Sequence, residues 1–285
     1  MTVRHVGVVG CGLMGSGIAE VCARATLDVV VHEVDEPAIS AGRDRIERSL
    51  ARAVAVGKLT TAARDAALHR IRFTDDLADL HDRDLVVEAV VEDEIAKTEV
   101  FAHLGKVTPP ETILASNTSS IPIMKLAMAA DRPRSVVGLH FFNPVPVLNL
   151  VELVTSLVTS EKTVTDARDF AERQLGKRVI ASPDRAGFIV NALLIPYILS
   201  AIRMFESGFA TPEDIDVGMV EGCAHPMGPL ALADFIGLDT TQAVAESLYE
   251  EFKEPLYASP PLLSRMVEAG LLGRKTGQGF YAYER

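Results

Sequence analysis

A histidine and a glutamate interrupt two apolar segments in the middle of the chain. His140 ends the segment that begins at Val136, and Glu152 lies inside the apolar run from Leu148 to Val154. A buried carboxylate costs on the order of several kcal/mol unless it is paired. A glutamate that binds one imidazole nitrogen fixes the tautomer and stabilises the imidazolium formed when the other nitrogen takes a proton. The pattern therefore suggests a general base, and a core histidine beside a solvated glutamate is the alternative.

A serine-rich turn precedes this pair. The stretch Ser116-Asn117-Thr118-Ser119-Ser120 follows a short apolar run and is closed by Pro122. Such a pattern predicts a strand that opens into a loop and then a helix. We therefore expect Ser119 at the carboxyl end of a strand.

A GxGxxG motif lies near the amino terminus, after an apolar strand pattern at residues 3–9 and before a helical pattern. In this context the first glycine permits a tight turn, the second lets a pyrophosphate approach the backbone, and the third lets the helix pack on the strand. The helix N-terminus offers amide groups to the phosphates. The candidate cofactor-binding residues here are Gly10, Gly12, Leu13, Met14 and Gly15.

A second predicted strand ends in Glu33, which follows Gly15 by 18 residues. That spacing is close to the roughly 20 residues expected for a carboxylate on the adenosine ribose. A carboxylate there would repel a 2′-phosphate, so NAD is favoured over NADP. A solvated strand-end acid, or Asp35 in place of Glu33, remains an alternative.

Composition and charge narrow the class of protein. The 285 residues suffice for two domains, and 48% hydrophobic residues suit a globular core. A net charge of −11 argues against nucleic acid or an anionic membrane as partner. We find no apolar run long enough to span a membrane and no signal-peptide pattern, which predicts a cytoplasmic location. The three cysteines lack metal-ligand spacing, so no metal site or disulfide framework is expected.

The order of elements predicts an α/β domain followed by an all-helical one. Short apolar strands alternate with helices, as in a doubly wound, mostly parallel sheet of Rossmann type. Residues 37–68 predict a helical hairpin, broken at Gly57, that forms an arm. Turn composition near Pro183 marks the boundary, so we expect a NAD-binding domain at 1–183 and an all-helical domain at 184–285.

Four further polar residues carry weaker signals. Glu92 and Lys97 follow a predicted strand on the side where such a sheet binds its cofactor, although isolated charges there are more often solvated. Asn191 interrupts a long apolar segment and is either a core amide or a donor facing a cleft. Lys275 belongs to a glycine-rich tail that suits a loop near phosphates or a solvated terminus.

Seven motifs together resemble the 3-hydroxyacyl-CoA dehydrogenases, in order and over essentially the whole chain. The overall pattern is closest to the bacterial 3-hydroxybutyryl-CoA dehydrogenase branch of that family, as found in actinobacteria. The motifs are Gly10–Gly15, Glu88–Glu92, Ser116–Ser120, Gly138–Pro144, Gly187–Asn191, Pro226–Pro229 and Lys275–Tyr281.

The resemblance implies a mechanism and a set of site residues. His140 would take the proton of the 3-hydroxyl while a hydride passes to NAD, and Glu152 would orient and charge-balance the imidazole. Ser119 and Asn191 match positions that contact the acyl-CoA substrate, and Ser49 matches one near the CoA moiety. The positions that match the NAD site are Glu92, Lys97, Ser119, Asn143 and Lys275. Many members are homodimers through the helical domain, so the same partner is expected here.

Departures from the family pattern keep two other functions open. The arm carries Ala53-Val54-Ala55-Val56 where members often have lysines that meet the CoA phosphates, which leaves Lys58 or Arg52 as substitutes. Ala186 and Ala192 stand where members often have proline and arginine. A longer acyl-CoA or an unesterified hydroxy acid is therefore a second candidate substrate. A NAD-binding protein without turnover is a third possibility, against which the retention of all four catalytic candidates argues.

Overall fold

The structure is a computed structural model that describes residues 2–284. It divides into two compact units, which separate between Arg185 and Ala186. The boundary that we placed at 183/184 lies two residues before this division (185 − 183).

The first unit is built on one eight-stranded sheet in the order β3-β2-β1-β4-β5-β6-β7-β8. All neighbouring strands are parallel except β6 and β7, which are antiparallel. The predicted doubly wound, mostly parallel sheet is confirmed. The strand order reverses between β1 and β4, where sheets of this kind open a crevice for ligands. The strands are β1 (His5–Val9), β2 (Asp28–His32), β3 (Ile71–Thr74), β4 (Leu85–Glu88), β5 (Ile113–Ser116), β6 (Val136–Phe141), β7 (Leu150–Thr155) and β8 (Arg178–Pro183).

Six α-helices are described in the first unit, and two of them form the predicted helical hairpin. They are α1 (Leu13–Arg24), α2 (Glu36–Ala55), α3 (Thr61–Leu68), α4 (Glu94–Val107), α5 (Ile123–Ala129) and α6 (Glu161–Asp169). Helix α2 of the hairpin buries one narrow stripe, formed by Ile39, Gly42, Ile46 and Leu50, and leaves its other faces to solvent. A π-helical turn at Phe170–Gln174 continues α6.

The second unit is helical, as predicted. Helix α7 buries Ile195, Ile198 and Leu199 in the core of this unit. Two isolated β-bridges in the tail, Gly273↔Gln278 and Gln278↔Ala282, are extended contacts that the sequence did not predict. No helix within residues 2–284 is long and apolar enough to cross a membrane. The helices are α7 (Val190–Glu206), α8 (Pro212–Cys223), α9 (Pro229–Ile236), α10 (Leu238–Phe252) and α11 (Pro261–Glu268).

Candidate active site

The structure brings the two interrupting residues together. His140 and Glu152 are directly opposite each other on the antiparallel strands β6 and β7, so their side chains project from the same face. The distance from His140 Nδ1 to Glu152 Oε2 is 2.7 Å. Both are buried, with His140 7% exposed and Glu152 0%. The contact fixes which imidazole nitrogen faces the carboxylate.

The serine-rich turn lies at the carboxyl end of β5 and is held by Glu92. One carboxylate oxygen, Oε1, accepts hydrogen bonds from the Ser119 amide at 2.8 Å and from the Thr118 hydroxyl at 2.6 Å. The same oxygen accepts bonds from the amide and hydroxyl of Ser120 and from the hydroxyl of Ser119. Burial raises the pKa of Glu92, but the Lys97 charge and these hydrogen bonds outweigh it, so the net pKa lies below its ordinary value.

Lys97 contradicts the expectation of a solvated charge. Its side chain is 1% exposed, and its Nζ lies 2.6 Å from Glu88 Oε1 and 3.3 Å from Glu92 Oε2. Buried cations of this kind persist only when they are paired. Lys97 therefore joins the ends of β4 and α4 from inside the protein.

The turn is also tied to the strand that carries His140. The side-chain carbonyl of Asn117 accepts a hydrogen bond of 2.9 Å from the Phe141 amide. The backbone amide of Asn117 donates to the backbone carbonyl of Glu88. The candidate base and the Ser119 turn thus share one hydrogen-bonded framework.

The N-terminus of helix α1 has the features of an anion-binding site. Within the described part of the first unit, each of the other α-helices has a side chain that accepts from its first amides, namely Asp35, Thr60, Asp93, Asp184 and Ser160. Helix α1 begins after Gly12 with no side-chain cap and no acid in its first turn. Its amides and its positive dipole end are therefore available to a phosphate.

Glu33 lies immediately after β2, beside the glycine motif. Its Oε1 accepts a 2.5 Å hydrogen bond from the amide of Cys11. Asp35, the competing ribose ligand, instead caps helix α2 by accepting from the Ala38 amide at 2.8 Å. The structure therefore favours Glu33 as the acid nearest to the phosphate turn.

Cys11 fills space in that turn. Burial, and then the charge of Glu33, raise the pKa of its thiol to about 12, so it stays protonated near neutral pH. A Cβ added to Gly42 would lie 2.6 Å from Cys11 Sγ, which shows how closely α2 packs against it. The sulfur is therefore a packing group.

Gly15 and Gly12 provide a test of the glycine motif. A Cβ at Gly15 would lie 1.8 Å from the carbonyl oxygen of Gly10, whereas one at Gly12 meets no atom within 4 Å. We expect Gly15→Ala to destabilise the protein by about 1–3 kcal/mol or more, because the backbone must move. Gly12→Ala should leave the melting temperature unchanged and weaken NADH binding by roughly tenfold or more, since the pyrophosphate needs that space.

Thermal unfolding and NADH fluorescence titration of both variants distinguish these effects. NADH binding by Gly12→Ala that equals wild-type binding would show that the pyrophosphate does not contact this glycine. A fully stable Gly15→Ala variant would show that α1 need not pack so closely on the turn.

The remaining predicted site residues lie in several places. Ser49 is partly exposed on α2, and Asn143 is exposed in the loop after β6. In the second unit, Asn191 lies in the first turn of α7 and is partly exposed. Lys275 pairs with Asp239, at 2.5 Å from Nζ to each carboxylate oxygen.

Sequence reasoning missed three residues that support the site. Glu88 was noted only as the first residue of a family motif, although an acid in a fully buried strand indicates a buried partner. Lys177 is buried, and its Nζ donates to the carbonyls of Val145 and Leu148 in the loop that joins β6 to β7. Asn117 gave no signal beyond its place in the turn. Among residues 2–284, no group of three His, Cys, Asp or Glu side chains could hold a metal ion.

Comparisons with known proteins match both units to one family. The family model described as 3-hydroxyacyl-CoA dehydrogenase, NAD binding domain, matches residues 5–185. The model of the C-terminal domain of the same family matches residues 187–283. Together these two models span the described chain almost from end to end.

Individual relatives are similar over the whole length. A 3-hydroxybutyryl-CoA dehydrogenase from Mycobacterium tuberculosis is 61% identical over 282 residues, which cover 99% of both chains. The crystal structure of M. tuberculosis FadB2 has a TM-score of 0.99 at 60% identity and covers 100% of both chains. That of (S)-3-hydroxybutyryl-CoA dehydrogenase PaaH1 from Ralstonia eutropha has a TM-score of 0.94 at 45% identity, again with 100% coverage of both. The chain therefore belongs to the 3-hydroxyacyl-CoA dehydrogenase family.

Proposed function

We propose that this protein catalyses the NAD-dependent oxidation of (S)-3-hydroxybutyryl-CoA to acetoacetyl-CoA and the reverse reduction, as a step of fatty-acid or butanoate metabolism. The observation that carries the proposal is the buried 2.7 Å contact between His140 and Glu152, in a unit that also holds a dinucleotide-binding motif. Two similar proteins with that substrate in their names, at 61% and 45% identity, support the choice of acyl chain.

His140 is the proposed general base. Its Nε2, opposite the nitrogen bound to Glu152, takes the proton of the 3-hydroxyl as the C3 hydrogen leaves with its electron pair. When bound, NAD supplies the acceptor for that hydride. Glu152 holds Nδ1 and balances the positive charge that the ring gains. In the reverse direction the same imidazolium returns its proton to the alkoxide oxygen.

Ser119 and Asn191 are proposed to contact the substrate. Ser119 has its amide and hydroxyl directed to Glu92, so the position of its side chain is set before substrate arrives. Prior placement of this kind lowers the entropic cost of reaching the reactive geometry. Asn191 offers a partly exposed amide in the first turn of α7.

The residues proposed to hold NAD fit a dinucleotide. The uncapped N-terminus of α1 suits the pyrophosphate, and the open space at Gly12 lets it approach the backbone. Glu33 Oε2 accepts a 3.3 Å hydrogen bond from the Val34 amide and is proposed to accept from the ribose hydroxyls as well, and the carboxylate would repel a 2′-phosphate. The further proposed NAD contacts are Glu92, Lys97, Ser119, Asn143 and Lys275.

The CoA moiety is proposed to lie along the helical hairpin. Ser49 is partly exposed on α2, and Arg52 and Lys58 are exposed near the end of the hairpin. These two cations are the available substitutes for the missing arm lysines. Their charge would meet the CoA phosphates at the surface, where such contacts are modest in energy.

The test is NADH oxidation by the purified protein in the presence of acetoacetyl-CoA. We expect rapid turnover, far slower turnover with NADPH, and a raised KM for a truncated acetoacetyl thioester that lacks the CoA nucleotide. Longer 3-ketoacyl-CoAs and unesterified keto acids form the comparison panel. Preference for one of these would reassign the substrate, and NADH binding with no turnover on any of them would favour a binding protein.

We also propose that the protein forms a homodimer through the helical unit. We further propose that it acts in the cytoplasm, as the compartment that holds NAD and acyl-CoA. The support is exposed apolar surface in that unit, where Leu193 is 73% and Phe209 78% exposed. Sedimentation velocity should give twice the chain mass, and Leu193→Glu should shift it to a monomer. Leu157→Glu, at a leucine of the first unit that is 98% exposed, is the control. Monomeric wild type would exclude the dimer, and cell fractionation tests the location.

A further inference from the structure

A buried carboxylate that has no assigned role lies under the Ser119 turn. Glu88 ends β4 and is 0% exposed, and its neighbour across the parallel strand pair is Ser116 on β5. A carboxylate in the interior needs compensation for each of its oxygens. Both carboxylate oxygens of Glu88 have partners, and each partner interacts in turn with the Ser119 turn or with Glu92, which binds that turn.

The first oxygen acts through charge. Glu88 Oε1 lies 2.6 Å from Lys97 Nζ and accepts a 2.7 Å hydrogen bond from the Val90 amide. The same Lys97 Nζ lies 3.3 Å from Oε2 of Glu92. Lys97 is thus shared between two carboxylates and lies nearer to the buried one. Glu92 uses its other oxygen to hold the amides of Ser119 and Ser120.

The second oxygen acts through a hydroxyl. Glu88 Oε2 accepts a 2.6 Å hydrogen bond from Ser116 Oγ. That hydroxyl oxygen accepts from the Thr118 amide at 3.1 Å, so it shapes the first residues of the turn. One carboxylate therefore controls the turn from β5 on one side and from α4 on the other.

We propose that Glu88 is a positioning residue for Ser119. Its negative charge keeps the Lys97 ammonium group at the end of β4. Glu92 can then accept hydrogen bonds from the turn with Oε1. Without that charge, Lys97 has Glu92 as its remaining carboxylate partner, and their attraction draws Glu92 away from the Ser119 and Ser120 amides. Ser119 then loses the fixed position on which its proposed contact with substrate and cofactor depends.

Two conservative variants separate this role from simple packing. Glu88→Gln keeps the size of the side chain and removes the charge, whereas Glu88→Asp keeps the charge and shortens the side chain. A charge-based role makes Gln the more damaging change, because the long Lys97 side chain can follow a retracted carboxylate. A packing role makes Asp the more damaging change, because it leaves a cavity. Glu20→Gln, at another buried glutamate that pairs with Arg24, is the matched control.

Amide hydrogen exchange is the primary readout and needs no turnover. In Glu88→Gln we expect the Ser119 and Ser120 amides to exchange about tenfold faster or more, with unchanged exchange in β1. Glu88→Asp should lie between Gln and wild type, and Glu20→Gln should match wild type at the turn. Wild-type exchange at Ser119 and Ser120 in Glu88→Gln, or an Asp variant more affected than Gln, would overturn the proposal.

The second readout rests on the function proposed above. We expect kcat for acetoacetyl-CoA to fall by about tenfold in Glu88→Gln and by less in Glu88→Asp, at equal melting temperatures. The Glu88→Gln variant could show faster exchange at Ser119 and Ser120 while the wild-type protein fails to reduce acetoacetyl-CoA. That result would uphold the positioning role and reject the proposed function. Accelerated exchange with wild-type kcat would show that Ser119 need not be fixed, and would overturn its link to catalysis.

Discussion

His140→Ala is expected to lower kcat for the reduction of acetoacetyl-CoA by about 10² to 10⁴, the range typical of a lost general acid or base. The imidazole is the proposed proton carrier, and alanine can neither donate nor accept a proton. NADH affinity should be unchanged, because the glycine motif and Glu33 lie elsewhere in the sheet. Stopped-flow measurement of NADH oxidation, with the Kd for NADH determined separately, gives both values.

The control for this variant is His103→Ala, which removes an exposed histidine from α4. It should retain wild-type kcat. A loss of less than about fivefold in a folded His140→Ala protein would mean that another group or water carries the proton.

Glu152→Gln is expected to lower kcat by roughly 10² or more, although the side chain keeps its size. The amide carries no charge to balance the imidazolium, and it can present either its oxygen or its nitrogen to Nδ1 of His140. The tautomer is then no longer fixed. Single-turnover kinetics at several pH values would report the chemical step, with thermal unfolding measured alongside.

Two outcomes would count against this role of Glu152. One is a variant with wild-type kcat, which would make the 2.7 Å contact with His140 structural only. The other is an equal loss in Glu20→Gln, which would point to a general cost of neutralising buried acids in this unit.

The pairing of His140 with Glu152 could be predicted because each residue interrupts an apolar strand and needs a partner. The sequence could not give the direction of β7. Only the antiparallel register of β6 and β7 places the two residues directly opposite each other. If the two strands were parallel, a different strand register would be needed to make these residues neighbours. The contact is confirmed, and its catalytic role stays a prediction.

Lys97 shows the limit of a local charge pattern. A lysine just after a strand is usually solvated, so the sequence favoured a surface charge, yet the side chain is 1% exposed. The missed signal was Glu88, whose position in a wholly buried strand requires a cation within reach. Nine residues separate the two in sequence, and the first turn of α4 closes that distance in the fold. Local charge pattern alone does not contain this information.

The glycine motif was predictable because its chemistry is local. The turn, the strand before it and the helix after it are all adjacent in sequence, and Glu33 follows at the expected spacing. What the sequence left open was Asp35 as an alternative to Glu33. In the structure Asp35 accepts from the Ala38 amide as the cap of α2, whereas Glu33 accepts from the Cys11 amide, which favours Glu33. The contact of Glu33 with the ribose stays a prediction.

The most direct test of the central claim is the forward reaction with a single defined substrate. Purified protein, NAD and (S)-3-hydroxybutyryl-CoA should yield NADH and acetoacetyl-CoA in equal amounts, identified by mass spectrometry, while the (R) enantiomer yields neither at a comparable rate. Absence of NADH from the (S) thioester, in a protein that binds NAD and is fully folded, would contradict the account.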